Sequence, residues 1–282
     1  MHGLGDNIHQ RAIVRQLTER HEVFLETSWP AVYHDLPVKC VFKRTILRTQ
    51  AKNAARQAAA FVSAPTGPRI RVRYTPQDIR STGSVLGAMC KATGADVSKA
   101  DFSLPVPDEW KKQASAILSV DKPLLIYRPL VERREWGGCA ARNPDREAYA
   151  QLFASIRDRY FVVSIADLVP GVEWIVSEPI KADAEFHSGE FHFEALAGLF
   201  SMASLVFASP GFAVPLAQAV GTPVVCVFGG YESSRSFSTM PYLGIDAVNP
   251  CECFSHNHRC DKRIDMPQAL GRLQEYVNAA AS

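Results

Sequence analysis

The chain has 282 residues, 47% of them hydrophobic and 21% charged, with a formal net charge of +2. That composition excludes a disordered chain, and no apolar run reaches the ~18 residues of a membrane helix. Seven cysteines, an odd number and mostly scattered, argue against a disulfide framework; with no signal peptide at the N-terminus, the expected location is the cytoplasm.

Short apolar runs alternate with helical stretches along the chain. The expected strands are Val23–Glu26, Val38–Phe42, Ile70–Tyr74, Leu124–Tyr127, Phe161–Ile165, Leu205–Ala208 and Val224–Phe228. The expected helices are Asp6–Arg20, Gln50–Ala60, Val85–Ala92, Asp145–Arg157, Phe193–Met202, Pro215–Val220 and Pro267–Ala279. Near-continuous hydrophobic strands between helices indicate parallel sheets covered on both faces, a doubly wound α/β fold. Pro105, Pro107 and Pro123 punctuate the stretch 104–122, which reads as a boundary. Two domains are expected, residues 1–115 and 116–282, with the last helix a candidate to pack back on the first. Such sheets bind ligands beyond the carboxyl ends of their strands.

Charge is unevenly spread. Residues 1–90 hold 13 of the 31 Lys and Arg but only 6 of the 29 Asp and Glu. Between Lys39 and Arg80, ten basic residues face one acid, Asp78. The first half therefore suits an anionic partner, such as a phosphorylated saccharide or DNA; a solvated basic face is the plainer alternative.

Two segments carry the chemistry. The first is Gly3-Leu4-Gly5-Asp6-Asn7-Ile8-His9, which reads as a turn entering a helix. Gly3 and Gly5 permit a tight turn and let a ligand approach the backbone. Only Met1 and His2 precede them, so the strand expected before such a turn either lies upstream of the given start or has been lost from the fold. Asp6 suits either an N-cap or a general base. The second segment runs from the apolar Leu205–Ala208 through Ser209-Pro210-Gly211-Phe212 into a short helix that ends at Gly221-Thr222-Pro223. A strand follows and ends in Gly229-Gly230. Ser209, Gly211 and Phe212 are the candidate diphosphate contacts, because a free helix N-terminus attracts anions.

Together these segments resemble glycosyltransferase family 9, whose best-known members are the heptosyltransferases. The likeness rests on the Gly-x-Gly-Asp turn with Asp6 and His9, on Leu196–Val206, and on the Ala-rich helix closing at Gly221-Thr222-Pro223 before Val224–Gly229. It covers residues 3–20 and 190–265 and fades between them. It implies a fold of the GT-B type: two Rossmann-like domains, a nucleotide-sugar donor in the second and the acceptor in the first. It also implies an inverting transfer with no cofactor and no catalytic metal, Asp6 as base and His9 beside it. Heptosyltransferases carry Asp-Ser/Thr-Gly in the donor turn and a His soon after. Here Ser209-Pro210-Gly211 and Pro215 stand at those places, which points away from ADP-heptose as donor. The rival reading is a shell of the same fold that binds a nucleotide or nucleic acid without turnover.

Several further residues belong to the expected donor cradle. Arg128 and Arg142 follow the first strand of the second half, where a guanidinium could hold a diphosphate by two parallel bonds; a surface ion-pair network is the alternative. Ser233, Ser234 and Arg235 follow Gly229-Gly230 and could extend the cradle. Glu190 and His192 either line the nucleotide site or sit in a solvated loop. Finally, Cys251, Cys253 and Cys260, with His256 and His258 between them, could assemble a structural zinc site, or stand as reduced thiols or one disulfide.

Overall fold

The computed structural model describes residues 3–134, 137, 140–238, 241–255 and 259–280. The chain divides into two compact units, one ending at Pro105 and the other beginning at Val106.

In the first unit, α1 (Leu4–Thr18) leads into β1 (Val23–Thr27) and β2 (Val38–Phe42), which pair in parallel. α2 (Arg48–Arg56), α3 (Pro76–Thr82) and α4 (Val85–Thr93) follow. The core is fastened by a charge. Arg11, on the buried side of α1, is fully enclosed and grips both Asp35 oxygens at 2.8 and 2.9 Å. The same guanidinium donates to the carbonyls of Val32, Phe102 and Ser103, so every N–H group that leaves water finds an oxygen.

Ile70–Tyr74 forms no strand, although its residues alternate as a strand would. Arg69, Ile70, Arg71 and Arg73 are exposed and Val72 and Tyr74 only half-buried, so neither face of the segment is fully covered, and period-2 patterning fixes a strand only where one face is buried. Helix α3 was not expected. It is built by local chemistry: Thr75 and Asp78 form a reciprocal capping box around Pro76, and Gly83 at φ +81° ends it.

The second unit opens with α5 (Asp108–Ile117), inside the stretch read from sequence as a boundary. Pro107 precedes it, Asp108 and Glu109 occupy its first turn, and Trp110 and Ala114 bury one face. It packs on α7 (Phe193–Met202) so closely that a Cβ on Gly198 would lie 2.2 Å from the Trp110 carbonyl oxygen.

The six-stranded parallel sheet contains β3 (Leu124–Tyr127), β5 (Phe161–Ile165), β7 (Ala184–Phe186), β8 (Leu205–Ala208), β9 (Val224–Val227) and β10 (Leu243–Ile245). Their spatial order is β10-β9-β8-β3-β5-β7. The chain thus winds outward one way from β3 through β5 and β7, then returns to the other side of β3 with β8. The order reverses between β3 and β8. β4 (Val131–Arg133) and β6 (Glu173–Ile175) form a separate antiparallel pair.

One face of the sheet is covered by α6 (Arg146–Ala154) and α10 (Met266–Ala280), through Tyr149, Leu152, Phe153, Leu273 and Val277. Alternate strand residues Leu125, Tyr127, Leu205, Phe207, Val225 and Val227 meet them. α8 (Ala213–Ala219) packs on β8, β9 and α7. The last short helix of the sheet region is α9 (Ser234–Phe237). Among the described residues, no helix is long and apolar enough to cross a membrane.

Candidate functional site

In the first unit the Gly3–His9 segment is already helical from Leu4 onward. Gly3 occupies the N-cap with an extended backbone, and Gly5 and Asp6 lie in the first turn of α1. This corrects two expectations: there is no open Gly-rich turn, and Asp6 does not cap the helix. The Gly3 carbonyl takes bonds from both the Asn7 backbone N–H at 3.1 Å and its side-chain amide at 2.8 Å. Asp6 instead sits half-buried, where the positive end of the helix favours a carboxylate. Its Oδ1 accepts a hydrogen bond from the Tyr74 hydroxyl at 3.0 Å.

Beneath Asp6 lies a buried polar network that the sequence did not announce. Thr27 donates to Asn7 Oδ1 at 2.8 Å, and the Tyr33 hydroxyl reaches the Asn7 carbonyl at 2.9 Å. It fixes the first turn of α1 against β1. His9 points into the core. It is 3% exposed and meets the Phe102 ring edge-on at 5.0 Å, and burial pushes its pKa down to about 4. Among the described residues its Nε2 has no hydrogen-bond partner. The imidazole is therefore neutral and enclosed, not an open acid or base beside Asp6.

In the second unit, Arg128 directly follows β3, and Ser209, Gly211 and Phe212 directly follow β8. These are the carboxyl ends of the two strands between which the sheet order reverses, the position where doubly wound sheets leave a crevice. Arg128 is only 12% exposed in its side chain. Its Nη1 donates to the Ile165 carbonyl at 2.6 Å, its guanidinium lies over the Phe212 ring at 5.2 Å, and the buried Glu173 carboxylate is 4.0 Å away. Burial lowers its pKa to about 10, so it keeps its charge at neutral pH. Glu173, which the sequence did not single out, is shared with Arg133 at 3.0 Å. A Cβ added to Gly211 would meet nothing nearer than the Ser209 carbonyl oxygen at 3.9 Å. The chain itself therefore leaves room beside that glycine.

A second cluster gathers after β9. Arg142 donates to Glu232 through Nε at 2.8 Å and Nη2 at 2.6 Å, and lies over the Tyr231 ring at 5.8 Å. Gly229 is where the Arg142–Asn143 backbone crosses: a Cβ there would be 2.3 Å from the Asn143 carbonyl oxygen. Gly230 adopts φ +83°, which a side chain would resist. The hydroxyls expected in a cradle are spent inside the protein. Ser233 caps α9 and donates to Glu252, and Ser234 Oγ donates to Asp246 at 2.5 Å. Arg235 is 79% exposed, with Glu252 3.9 Å away. The structure thus groups Arg128 with Ser209–Phe212, and Arg142 with Gly229–Glu232.

Glu190 and His192 are engaged locally. The Glu190 carboxylate accepts the Ser188 N–H at 2.9 Å, and His192 Nε2 lies 3.1 Å from the Gln113 side chain. The sulfurs of Cys251, Cys253 and Cys260 lie within 4.8 Å of one another, close enough to share a metal ion. His256 and His258 lie outside the described residues.

The sequence matches no protein-family model and no curated protein. The likeness to solved structures is one of fold. A glycosyl transferase family 9 protein from Veillonella parvula superposes with a TM-score of 0.60 at 13% identity, covering 99% of this chain and 95% of that one. The iron-containing dodecameric heptosyltransferase TibC from enterotoxigenic Escherichia coli, solved with ADP-D-β-D-heptose, gives 0.60 at 15% identity over 98% of this chain and 75% of its own. The E. coli ADP-heptose lipopolysaccharide heptosyltransferase II gives 0.55 at 12%, over 100% and 98%. The chain therefore has the α/β fold of GT-B glycosyltransferases and resembles the family 9 structures among them.

Proposed function

We propose that the chain is a glycosyltransferase that moves a sugar from a nucleoside diphosphate to a hydroxyl of an anionic saccharide. The observation that carries this reading is Arg128, a buried guanidinium held by Ile165 and Phe212 at the strand-order reversal, beside the open space at Gly211. A glycine that neither packing nor positive φ requires suits the close approach of a ligand to the backbone. The fold neighbours include enzymes named for ADP-heptose and lipopolysaccharide, which supports a nucleotide-sugar donor.

In this reading the second unit holds the donor and the first unit the acceptor. Asp6 takes the proton of the acceptor hydroxyl as that oxygen attacks the anomeric carbon. The bond to the diphosphate breaks as the new bond forms on the opposite face, so configuration inverts. Negative charge gathers on the departing diphosphate, and Arg128 neutralises it without calling on a metal ion. His9, enclosed and neutral, supports α1 and leaves proton transfer to Asp6. Arg142 is already paired with Glu232, so its part is to hold the Gly229–Glu232 turn rather than to meet phosphate. The exposed Arg44, Arg56, Arg69, Arg71 and Arg73 supply positive charge for an acidic acceptor. The donor turn lacks the acidic residue of heptosyltransferases, so the donor is read as a nucleoside diphosphate sugar other than ADP-heptose.

The test is binding and turnover of purified protein with a panel of nucleoside diphosphates and their sugars. The expected result is one nucleoside diphosphate bound by wild type and by Asp6→Asn, with sugar released or transferred by wild type alone. Binding by both without turnover would make the chain a nucleotide-binding module. Failure to bind any nucleoside diphosphate would remove the donor site altogether.

A further inference from the structure

The loop between β10 and α10 carries three thiols that neither the core nor the proposed transfer uses. Cys251 Sγ is 3.3 Å from Cys260 Sγ, Cys253 Sγ is 3.6 Å from it, and all three lie within 4.8 Å. A thiolate binds a zinc-like ion at about 2.3 Å, which sets sulfurs of a tetrahedral site roughly 3.8 Å apart. Two sides of the observed triangle fall just short of that spacing, and the third is no longer than 4.8 Å. It does not have the shape of buried thiols filling a core: Cys251 is exposed and the other two are half-exposed, whereas Cys40, Cys90 and Cys226 are buried. One disulfide would use two sulfurs and abandon the third.

The backbone around Cys253 supports the same conclusion. Glu252 at φ 47° and Phe254 at φ 51° are the two non-glycine residues with positive φ among the described residues, and they flank Cys253 on either side. Such conformations persist where something over-determines them. The second twist brings the Ser255 N–H to within 3.4 Å of Cys253 Sγ, the kind of outer contact that orients a ligating sulfur and offsets its charge. The loop is also stitched to the turn after β9. The Glu252 N–H donates to the Gly230 carbonyl at 3.0 Å, and the Phe254 N–H reaches the Tyr231 carbonyl at 3.2 Å. A Cβ on Gly230 would lie 3.3 Å from Cys260 Cβ.

We propose that Cys251, Cys253 and Cys260 bind one thiophilic divalent cation, zinc or ferrous iron, as a structural clip on the Gly229–Glu232 turn. Binding converts three thiols to three thiolates and releases three protons, with no change of oxidation state. Three of the four positions of a tetrahedral site are thereby filled. Three soft sulfur donors exclude magnesium and calcium, which take oxygen ligands.

The experiment begins with elemental analysis of the intact protein purified under reducing conditions without added chelator. About one equivalent of zinc or iron per chain is expected, and the element found identifies the ion. Cobalt substitution should give the intense visible bands of a tetrahedral thiolate site. Chelation should raise the number of thiols that react with a chromogenic disulfide by three and speed proteolytic cleavage near residues 229–262, and re-addition of zinc should reverse both. Cys251→Ser and Cys260→Ser should each lower the affinity for zinc by tenfold or more. If either variant fails to fold, the chelation and thiol counts on wild type still decide the matter. A mass 2 Da below that of the reduced chain, from a disulfide within this trio, would overturn the proposal. So would protein free of metal whose thiol reactivity zinc leaves unchanged.

Discussion

The hydroxyl of Tyr74 donates to Oδ1 of Asp6 across 67 intervening residues, at 3.0 Å. The phenol holds the carboxylate in one orientation at the start of α1. Tyr74→Phe removes that restraint while keeping the ring. Losing a hydrogen bond to a charged group costs about 1.5–3 kcal/mol, so turnover should fall roughly tenfold to a hundredfold. Asp6→Asn should cost about 10²–10⁴-fold. Because Tyr74 acts through Asp6, the double variant should be no slower than Asp6→Asn alone. Additive losses in initial-rate assays would show that Tyr74 has a separate role.

Arg128 should be the main determinant of diphosphate affinity. Arg128→Ala should weaken nucleoside diphosphate binding by about 10–100-fold in calorimetry. Arg128→Lys keeps the charge but loses the planar fork and the stacking on Phe212, so it should recover only part of that loss. Equal affinity in all three proteins would move the donor site elsewhere.

Two glycines separate packing from ligand approach. Gly229→Ala places a methyl group 2.3 Å from the Asn143 carbonyl oxygen, so it should destabilise the protein by about 1–3 kcal/mol. Gly211→Ala has free space and should change stability by less than about 0.5 kcal/mol, yet weaken diphosphate binding. Denaturation midpoints and titrations on the same two variants check both halves of this expectation.

His9 makes stability sensitive to acid. Its pKa is about 4 in the folded protein against 6.5 for an exposed imidazole, so between these values the unfolded chain binds the extra proton. The folded state should therefore lose stability as pH falls from about 6.5 toward 4, by up to roughly 3 kcal/mol, with no further loss from this group below that. His9→Phe should flatten this part of the pH–stability curve measured by urea unfolding, and an unchanged curve would show that other groups govern the acid limb.

Four strands of the second unit, β3, β5, β8 and β9, were readable because they are short and almost wholly apolar, as strands covered on both faces must be, whereas the three-residue strands β4, β6, β7 and β10 were too short to signal themselves. Leu205–Ala208 coincides with its element, and so does Phe193–Met202. The position of Arg128 beside Phe212 could be anticipated from each following a strand, although the cross-strand order that joins them is not written in either segment. The first unit was harder. Ile70–Tyr74 alternates like a strand but does not pair, because pairing depends on what the neighbouring chain offers. Tyr74 was consequently read as a strand residue, when its use is as the partner of Asp6. Glu173 and Glu232 were invisible for a related reason: an acid outside every expected element looks solvated until the fold shows which guanidinium it meets. The boundary read at 104–122 contains the division at Pro105, but helix α5 within it was not expected, though Trp110 and Ala114 at helical spacing were a usable signal.

The enclosed guanidinium of Arg11 also sets where this chain can be cut. Its bonds to the Phe102 and Ser103 carbonyls belong to the last turn of chain before Pro105, far in sequence from α1. A shortened fragment that stops before residue 102 would keep the pair with Asp35 but leave the Nε–H and an Nη2–H of this guanidinium without their acceptors, a penalty of about 1–3 kcal/mol. The smallest autonomous piece of the N-terminal half must therefore carry its tail, however loop-like that tail looks on paper.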